Sequence, residues 1–498
     1  MTLSVLEYLK KNGPCLSSEV TEYLVSSGIS SDAARQRVSR GSKQVLRLDL
    51  SLPKRVKFLY TKEQSGTWAY WVNLQEALLS TNSAYGFAIT ALRARGGIMP
   101  KNFFEIASGS PIKQKKHLSA STVLSRLIST NLVKETTVEG VGPCIYLGLH
   151  TNHVDELIAP MRARYNVESI TLEGIKQWLQ NLGFVSYNLA ITRSNQSNPT
   201  VSTTAWDLMG QSYLSPVVSF VSNTDKPKNG FVVCEILLTE EVSEVDILPF
   251  IQKLNALRSL NNVGKQLVFF VADSFSLNAL KKLKSIGVSP ATTKAIFDTE
   301  TAKGLRNLTE ILSNVIEKAI TPEKIDEIFK SLGKIEGAAN RLRGNLFEYV
   351  IAETMRAEFT HIELNRVCQG LSGSKEADVI CISQSQVLFI EGKGYNINRL
   401  VDIETVDYWL TQQIPVFRQA ALNHSDWKTR KMRFEFWSTG TFSDEARTRL
   451  EEAEKQASRY EIGFKDMHLI KSKIQATSNS ALKKTFEEHF AKHPMNNK

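Results

Sequence analysis

The tightest constraint on this 498-residue chain is a pair of short apolar runs separated by four polar residues. Ala377-Asp378-Val379-Ile380-Cys381-Ile382 and Val387-Leu388-Phe389-Ile390-Glu391-Gly392-Lys393 flank Ser383 to Gln386. Runs of this length, rich in Val, Ile and Phe and joined by a polar turn, predict two strands of a hairpin. Side chains two apart on a strand share a face, so Glu391 and Lys393 point the same way. A loop centred between Gln384 and Ser385 pairs Ile382 with Val387 and, followed back along the ladder, sets Asp378 opposite Glu391. Two carboxylates and an ammonium at the ends of apolar strands are costly in a core, because buried like charges repel and shift each other's pKa. A divalent metal removes the conflict. Mg²⁺ takes oxygen ligands, one or two carboxylates with waters and substrate phosphates, and Mn²⁺ is a substitute for it. The lysine can orient or polarise an attacking water while the metal stabilises charge on the phosphate.

The flanking sequence fits the same unit. Residues 338–355 carry Leu342, Leu346, Phe347, Val350, Ile351 and Met355 at a helical period, and include Gly344-Asn345-Leu346-Phe347-Glu348. A strand at 362–367 and a turn at Gly370-Leu371-Ser372-Gly373 precede the hairpin. After it come a helix at 408–422, a strand at 432–438, a helix at 443–457 and a strand at 462–470. On the residues Gly344, Phe347, Glu348, Asp378 and Glu391-Gly392-Lys393, in that order, residues 335–475 resemble the PD-(D/E)xK nuclease superfamily, the restriction-endonuclease-like fold. The resemblance implies that Asp378 and Glu391 are metal ligands, that Lys393 assists the nucleophilic water, and that Glu348 helps with metal or water. Ala377 stands where the family often has proline. Gln412, Gln413 and Arg418 on the next helix read either as contacts to DNA backbone or as a solvated face.

Charge points to the partner. Lys and Arg number 61 against 51 Asp and Glu, a formal +10. Residues 1–150 hold 19 basic and 10 acidic side chains, leaving 42 and 41 for the rest. A basic excess gathered in one segment suits a polyanion. Residues 1–80 read as three short helices and a hairpin. The third helix, from Ala33 to Arg40, buries Ala34 and Val38 and turns Arg35, Gln36, Arg37 and Arg40 elsewhere, with Lys43 following. Strands at 46–50 and 55–60 place Lys54, Arg55 and Lys57 near a hairpin tip. This is the plan of a winged helix-turn-helix, one helix for base edges and a wing for phosphates. Residues 81–150 repeat it, with Lys113, Lys115 and Lys116 leading into a third helix that carries Arg126. The same fold also serves as a protein–protein module, so a scaffold with a merely solvated basic face is the alternative.

Residues 165–310 alternate helices and strands much as 335–475 do, with a helix at 172–182, strands at 184–191, 203–208, 217–221 and 230–238, a helix at 247–257, a strand at 267–271 and a helix at 276–286, and with Asp207 and Glu235-Ile236-Leu237 at the corresponding places. Leucine occupies the lysine position, so this segment reads as a degenerate nuclease-like domain or an unrelated α/β domain. Residues 311–334 read as a helical linker and 476–498 as a loose tail.

Cys15, Cys144, Cys234, Cys368 and Cys381 are odd in number and scattered, which suits a reducing cytoplasm and neither a disulfide framework nor a zinc ribbon. No apolar run is long enough to span a bilayer. No Gly-x-x-x-x-Gly-Lys-Ser/Thr loop occurs, so any ATPase, like any methyltransferase, would be a separate partner. The expected chain is thus multidomain, α+β and α/β: tandem winged helices, then a degenerate and an intact restriction-endonuclease-like domain. The expected activity is Mg²⁺-dependent cleavage of double-stranded DNA, of restriction or phage-defence type, by a homodimer where both strands are cut. The alternatives are a DNA-binding regulator or scaffold that does not cut, and an RNA nuclease.

Overall fold

The computed structural model describes residues 4–491 except 195–196, 213, 215–218, 222–223, 229, 261–262, 314–319 and 336. The chain is mixed α/β and divides into two compact units, Met1–Met161 with Trp178–Ile296, and Arg162–Gln177 with Phe297–Lys498.

In the first unit, helices Val5–Asn12, Ser17–Ser26 and Ser31–Arg40 close over Val5, Leu9, Val20, Leu24, Ala34, Val38 and Leu59. The first starts on a capping box in which Ser4 and Glu7 satisfy each other's backbone N–H. The accompanying sheet is shorter than the sequence predicts. Leu46–Arg47 pairs with Phe58–Tyr60, while 48–50 and 55–57 lie outside the ladder. Pro53 brings no N–H, and Lys54 and Arg55 turn the chain with φ of 56° and 59°. Helix Trp68–Ser80 was not foreseen, because its apolar residues lie all round and mark no single face. Residues 84–147 form helices Ala84–Ala94 and Ala120–Ser129 with a second three-stranded sheet. Ala84–Ala94 is buried on nearly every side, since helix Leu248–Arg258 also packs on it.

The unit's largest sheet has five strands, β1 (Ala190–Thr192), β2 (Leu208–Ser212), β3 (Gly230–Ile236), β4 (Gln266–Ala272) and β5 (Ser289–Thr292). They lie side by side in chain order; β1, β2 and β3 are antiparallel to one another in turn, and β3, β4 and β5 are parallel. Strands expected at 184–191 and 203–208 are shifted: the first shrinks to Ala190–Thr192 after a turn, and β2 begins only at Leu208. The one expected at 217–221 lies partly outside the described residues.

The second unit repeats that sheet order. β6 (His361–Gly370), β7 (Gly373–Ile382) and β8 (Gln386–Lys393) are antiparallel neighbours, followed by parallel β9 (Lys431–Ser438) and β10 (Glu461–Lys465). Ile380, Phe389, Phe417, Phe434 and Phe436 are among its core, with Phe389 stacked on Phe417 at 5.5 Å. Helix Ala338–Met355 crosses the sheet where the backbone of β8 leaves room: a Cβ on Gly392 would meet Ile351 at 2.7 Å.

Three further segments differ from expectation. Residues 476–491 are packed, with helix Ser480–Phe486 burying Leu482 and Phe486, Phe490 buried beyond it, and the Thr485 hydroxyl donating to the Pro322 carbonyl; 492–498 lie outside the described residues. Within 311–334, helix Pro322–Leu332 belongs to the core through Ile325, Ile328, Phe329 and Leu332, and 314–319 lie outside the described residues. A 28-residue helix, Val154–Asn181, replaces the short one expected near 172–182, and its Arg162–Gln177 stretch belongs to the second unit. Pro160 inside it reads as a breaker, which hides its true start. All five cysteines are buried, and none is in a disulfide. Among the described residues no helix is long and apolar enough to cross a membrane.

Candidate active site

The β7–β8 hairpin has the register read from the sequence, Ile382 against Val387 through Val379 against Ile390. One step further, Asp378 and Glu391 face each other where ladder pairing stops. There the Gly392 N–H donates to Asp378 Oδ2 at 2.8 Å. Lys393 lies between the two acids, with Nζ 2.6 Å from Glu391 Oε1 and 4.0 Å from Asp378 Oδ2. Burial pulls the Lys393 pKa down, but Glu391 and Asp378 outweigh it and hold the ammonium above its usual range.

The second oxygen of Glu391 is held from another element. Gln413 Nε2 donates to Glu391 Oε2 at 3.3 Å, and Gln413 is buried. It sits at the end of a π-turn, Trp409–Gln413, inserted between helices Ile403–Tyr408 and Ile414–Asn423. Such a wide turn re-aims the side chains that follow it, a recurrent device at functional sites. Gln413 is therefore not a DNA-backbone contact; Gln412 is exposed, and Arg418 lies over the Tyr460 ring at 5.9 Å.

Glu348 completes the cluster from helix Ala338–Met355. Burial first, then Asp378 and Glu376, push its carboxyl well above the usual range, against the opposing pull of Arg162 and Lys393. Glu376 and Arg162 were missed by sequence reasoning. Glu376 is two residues before Asp378 on β7, so strand parity alone could have found it. Arg162 grips it through both Nη atoms from 214 positions upstream, a pairing that only packing reveals. Glu348, Glu376, Asp378 and Glu391 against Arg162 and Lys393 give a formal −2. An all-oxygen donor set that stays net negative even with Glu348 protonated fits a hard divalent cation such as Mg²⁺. Asp378 and Lys393 keep 17% and 26% of their side-chain surface exposed, so the site reaches solvent. The acids are not drawn into a tight cage, since Lys393 occupies the space between two of them. Among the described residues, ligand atoms of Asp326, Glu488 and His489 do lie within 4.8 Å of one another. There Lys330 and His489 already hold Asp326, at 2.6 Å and 2.7 Å.

The Glu348 shift has a stability consequence. A carboxyl whose folded pKa is raised stabilises the fold fully below its unfolded value, near 4.5, and that contribution is lost as pH rises through the folded value. We expect Glu348→Gln to melt higher than wild type at pH 8 in metal-free buffer, and the difference to vanish at pH 4. Equal melting temperatures at both pH values would remove the electrostatic account of the cluster.

The basic residues are placed as follows. Arg35, Gln36, Arg37, Arg40 and Lys43 are exposed along and just after helix Ser31–Arg40, with Ala34 and Val38 inside. Arg47, not singled out by sequence, donates to the Val38 and Ser39 carbonyls at 2.9 Å and so caps that helix. Lys54 and Arg55 are exposed on their turn, whereas the Lys57 ammonium is tied to the Leu50 carbonyl at 3.3 Å. Lys113, Lys115 and Lys116 are exposed on a loop that Gln114 pins to the Ala256 carbonyl at 3.1 Å. Arg126 donates to the Tyr85 hydroxyl at 2.7 Å.

No protein-family model matches the chain, and no curated protein matches it. A solved structure described as a protein of unknown function, AF1548, is similar over 27% of this chain and 73% of its own length, at 15% identity and a TM-score of 0.20. A likeness of that size says nothing of fold family or function.

Proposed function

We propose that the chain is a Mg²⁺-dependent DNA endonuclease of the PD-(D/E)xK type, with a winged helix-turn-helix at 1–80 and a second at 81–150. The observation that carries this reading is Asp378 facing Glu391 across the β7–β8 register, with Lys393 between them at a solvent-reaching strand end. Asp378 and Glu391 would hold the metal, which when bound stabilises charge on the phosphate and acidifies a water. Mn²⁺ would serve in its place. Lys393 orients the water, Gln413 fixes the Glu391 carboxylate, and the Arg162–Glu376 pair sets the charge around Glu348. Arg35, Gln36, Arg37 and Arg40 would meet the major groove, with Lys43, Lys54 and Arg55 on phosphates. One such site per chain cuts one strand, so a double-strand break calls for a homodimer.

Incubation of supercoiled plasmid with the protein and Mg²⁺, beside an Asp378→Ala control, tests this. Wild type matching the control on DNA of varied sequence and modification would sink it. The reading as a non-cutting DNA-binding scaffold draws on the Lys393–Glu391 contact, which already neutralises one ligand; footprinting without cleavage would favour it.

The residues placed on phosphates make a separate prediction. Lys43→Gln, Lys54→Gln and Arg55→Gln should each lower the slope of log K against log salt by about 1 for duplex DNA. An unchanged slope in the triple variant would place the contact elsewhere.

A further inference from the structure

We infer that the first unit carries a second copy of the same carboxylate arrangement, in which the chain's own cations take the place a metal would have, and which now anchors the 84–107 segment to the central sheet. The correspondence runs residue by residue. β1 to β5 and β6 to β10 share strand order and directions. Leu208 pairs with Cys234, so Asp207 faces Glu235 one step on, as Asp378 faces Glu391. The Ile236 N–H donates to Asp207 Oδ2 at 2.8 Å, and the Gly392 N–H to Asp378 Oδ2 at the same distance. In both cases the donor is the residue after the glutamate. In both sites the helix after that strand reaches the glutamate's second oxygen: Gln413 at 3.3 Å in one, Lys253 at 2.5 Å in the other.

The differences decide what each site does. Where Lys393 stands, unit 1 has the buried Leu237. Its cations come from elsewhere: Lys253 from helix Leu248–Arg258, Arg193 paired with Asp207, and Arg95 at 3.2 Å from Glu235 Oε1. Two carboxylates against three cations give a formal +1, the opposite sign to the −2 of the exposed site. Asp207 and Lys253 are fully buried, Glu235 nearly so, and Arg95 and Arg193 keep 6% and 8% exposure. A divalent ion entering here would meet net positive charge and, among the described residues, almost no solvent exposure through which to keep its remaining waters. What the site holds instead is protein. Arg95 follows helix Ala84–Ala94, and Lys253 also donates to the Ile106 carbonyl at 2.8 Å. Glu235 thus clamps both ends of the 95–106 stretch onto the sheet, one through Arg95 and the other through Lys253, in a buried setting where breaking one partner leaves a charge uncompensated.

The inference does not depend on whether the exposed site cuts DNA, and its test reads stability and metal binding on the full chain. Lys253→Met should lower the melting temperature by on the order of 10 °C. Glu235→Met/Lys253→Met should recover most of that loss, since apolar groups then replace both buried charges. Arg95→Met should speed backbone hydrogen exchange at 84–107 and leave 31–40 unchanged. Lys253→Met melting like wild type, or Arg95→Met leaving exchange at 84–107 as it was, would overturn the clamp; if Lys253→Met does not fold, the double variant and Arg95→Met still decide. In Mn²⁺ titrations, binding that survives Asp378→Asn but disappears in Asp378→Asn/Glu235→Gln would overturn the exclusion of metal from unit 1. Wild type that fails to cleave plasmid while these outcomes hold would count against the nuclease proposal alone.

Discussion

Asp378→Ala should reduce Mg²⁺-dependent plasmid cleavage by on the order of 10³-fold, with loss of Mn²⁺ binding. A divalent ion contributes several kcal/mol of charge stabilisation to a phosphoryl transition state, and each ~1.4 kcal/mol is a factor of ten in rate. Folding should suffer far less. The variant leaves the Gly392 N–H without its acceptor, a loss of about 1–3 kcal/mol. In return, it takes one negative charge away from Glu348, whose carboxyl burial first and then Asp378 push well above the usual range. The two effects oppose each other, so the thermal transition should move little while cleavage collapses. Asp378→Asn keeps an acceptor for that N–H and should melt closer still to wild type. Cleavage by either variant at wild-type rate, with metal binding intact, would mean that the hairpin acids are not the metal ligands.

Lys393→Met should change binding and turnover in opposite directions. In the metal-free chain the ammonium lies 2.6 Å from Glu391 and 4.0 Å from Asp378, so it competes with any divalent ion for the same oxygens. At an effective dielectric near 20, a unit charge about 4 Å away is worth ~4 kcal/mol, enough for at least a tenfold gain in Mn²⁺ affinity when it is removed. The donor that positions water and meets developing charge is lost in the same step, at ~10²–10³ in single-turnover rate under saturating metal. Calorimetric Mn²⁺ titration beside quenched-flow cleavage separates the two. A variant that loses both affinity and rate would show that Lys393 supports the ligands instead of opposing the ion.

The hairpin was legible in the sequence because its information is local: two apolar runs, a four-residue turn and strand parity fix which acids meet. Ala34 and Val38 inside and the arginines outside helix Ser31–Arg40 follow from helical period in the same way. What stayed hidden depends on distant packing or on a signal that points the wrong way. Arg162 joins Glu376 across most of the chain, and the helix that carries it contains a proline. Gln413 reads as one more polar residue on a helix face until the π-turn re-aims it. Lys253 was invisible for the converse reason, since a lysine in an amphipathic helix is ordinarily solvated, and here it is fully buried. The packed tail at 480–490 was disguised by its charged residues, which cover the three aromatic and aliphatic side chains that dock it.

Along β8 the backbone alternates between chemistry and clearance. Glu391 and Lys393 carry the charged groups of the candidate site, while just past the strand a Cβ on Gly394 would stand 2.2 Å from the Arg343 carbonyl oxygen and 2.6 Å from the Phe347 Cβ. Gly394 meets main chain there, which cannot swing aside as the Ile351 side chain beside Gly392 can. The evolutionary freedom of this strand end is therefore very small. In a library randomised at 391–394 and selected for cleavage, position 394 should return glycine alone and position 392 glycine with occasional alanine. The helix bearing Glu348 is thus set against the strand by the absence of side chains, and the spacing of the acidic cluster is inherited from two hydrogen atoms.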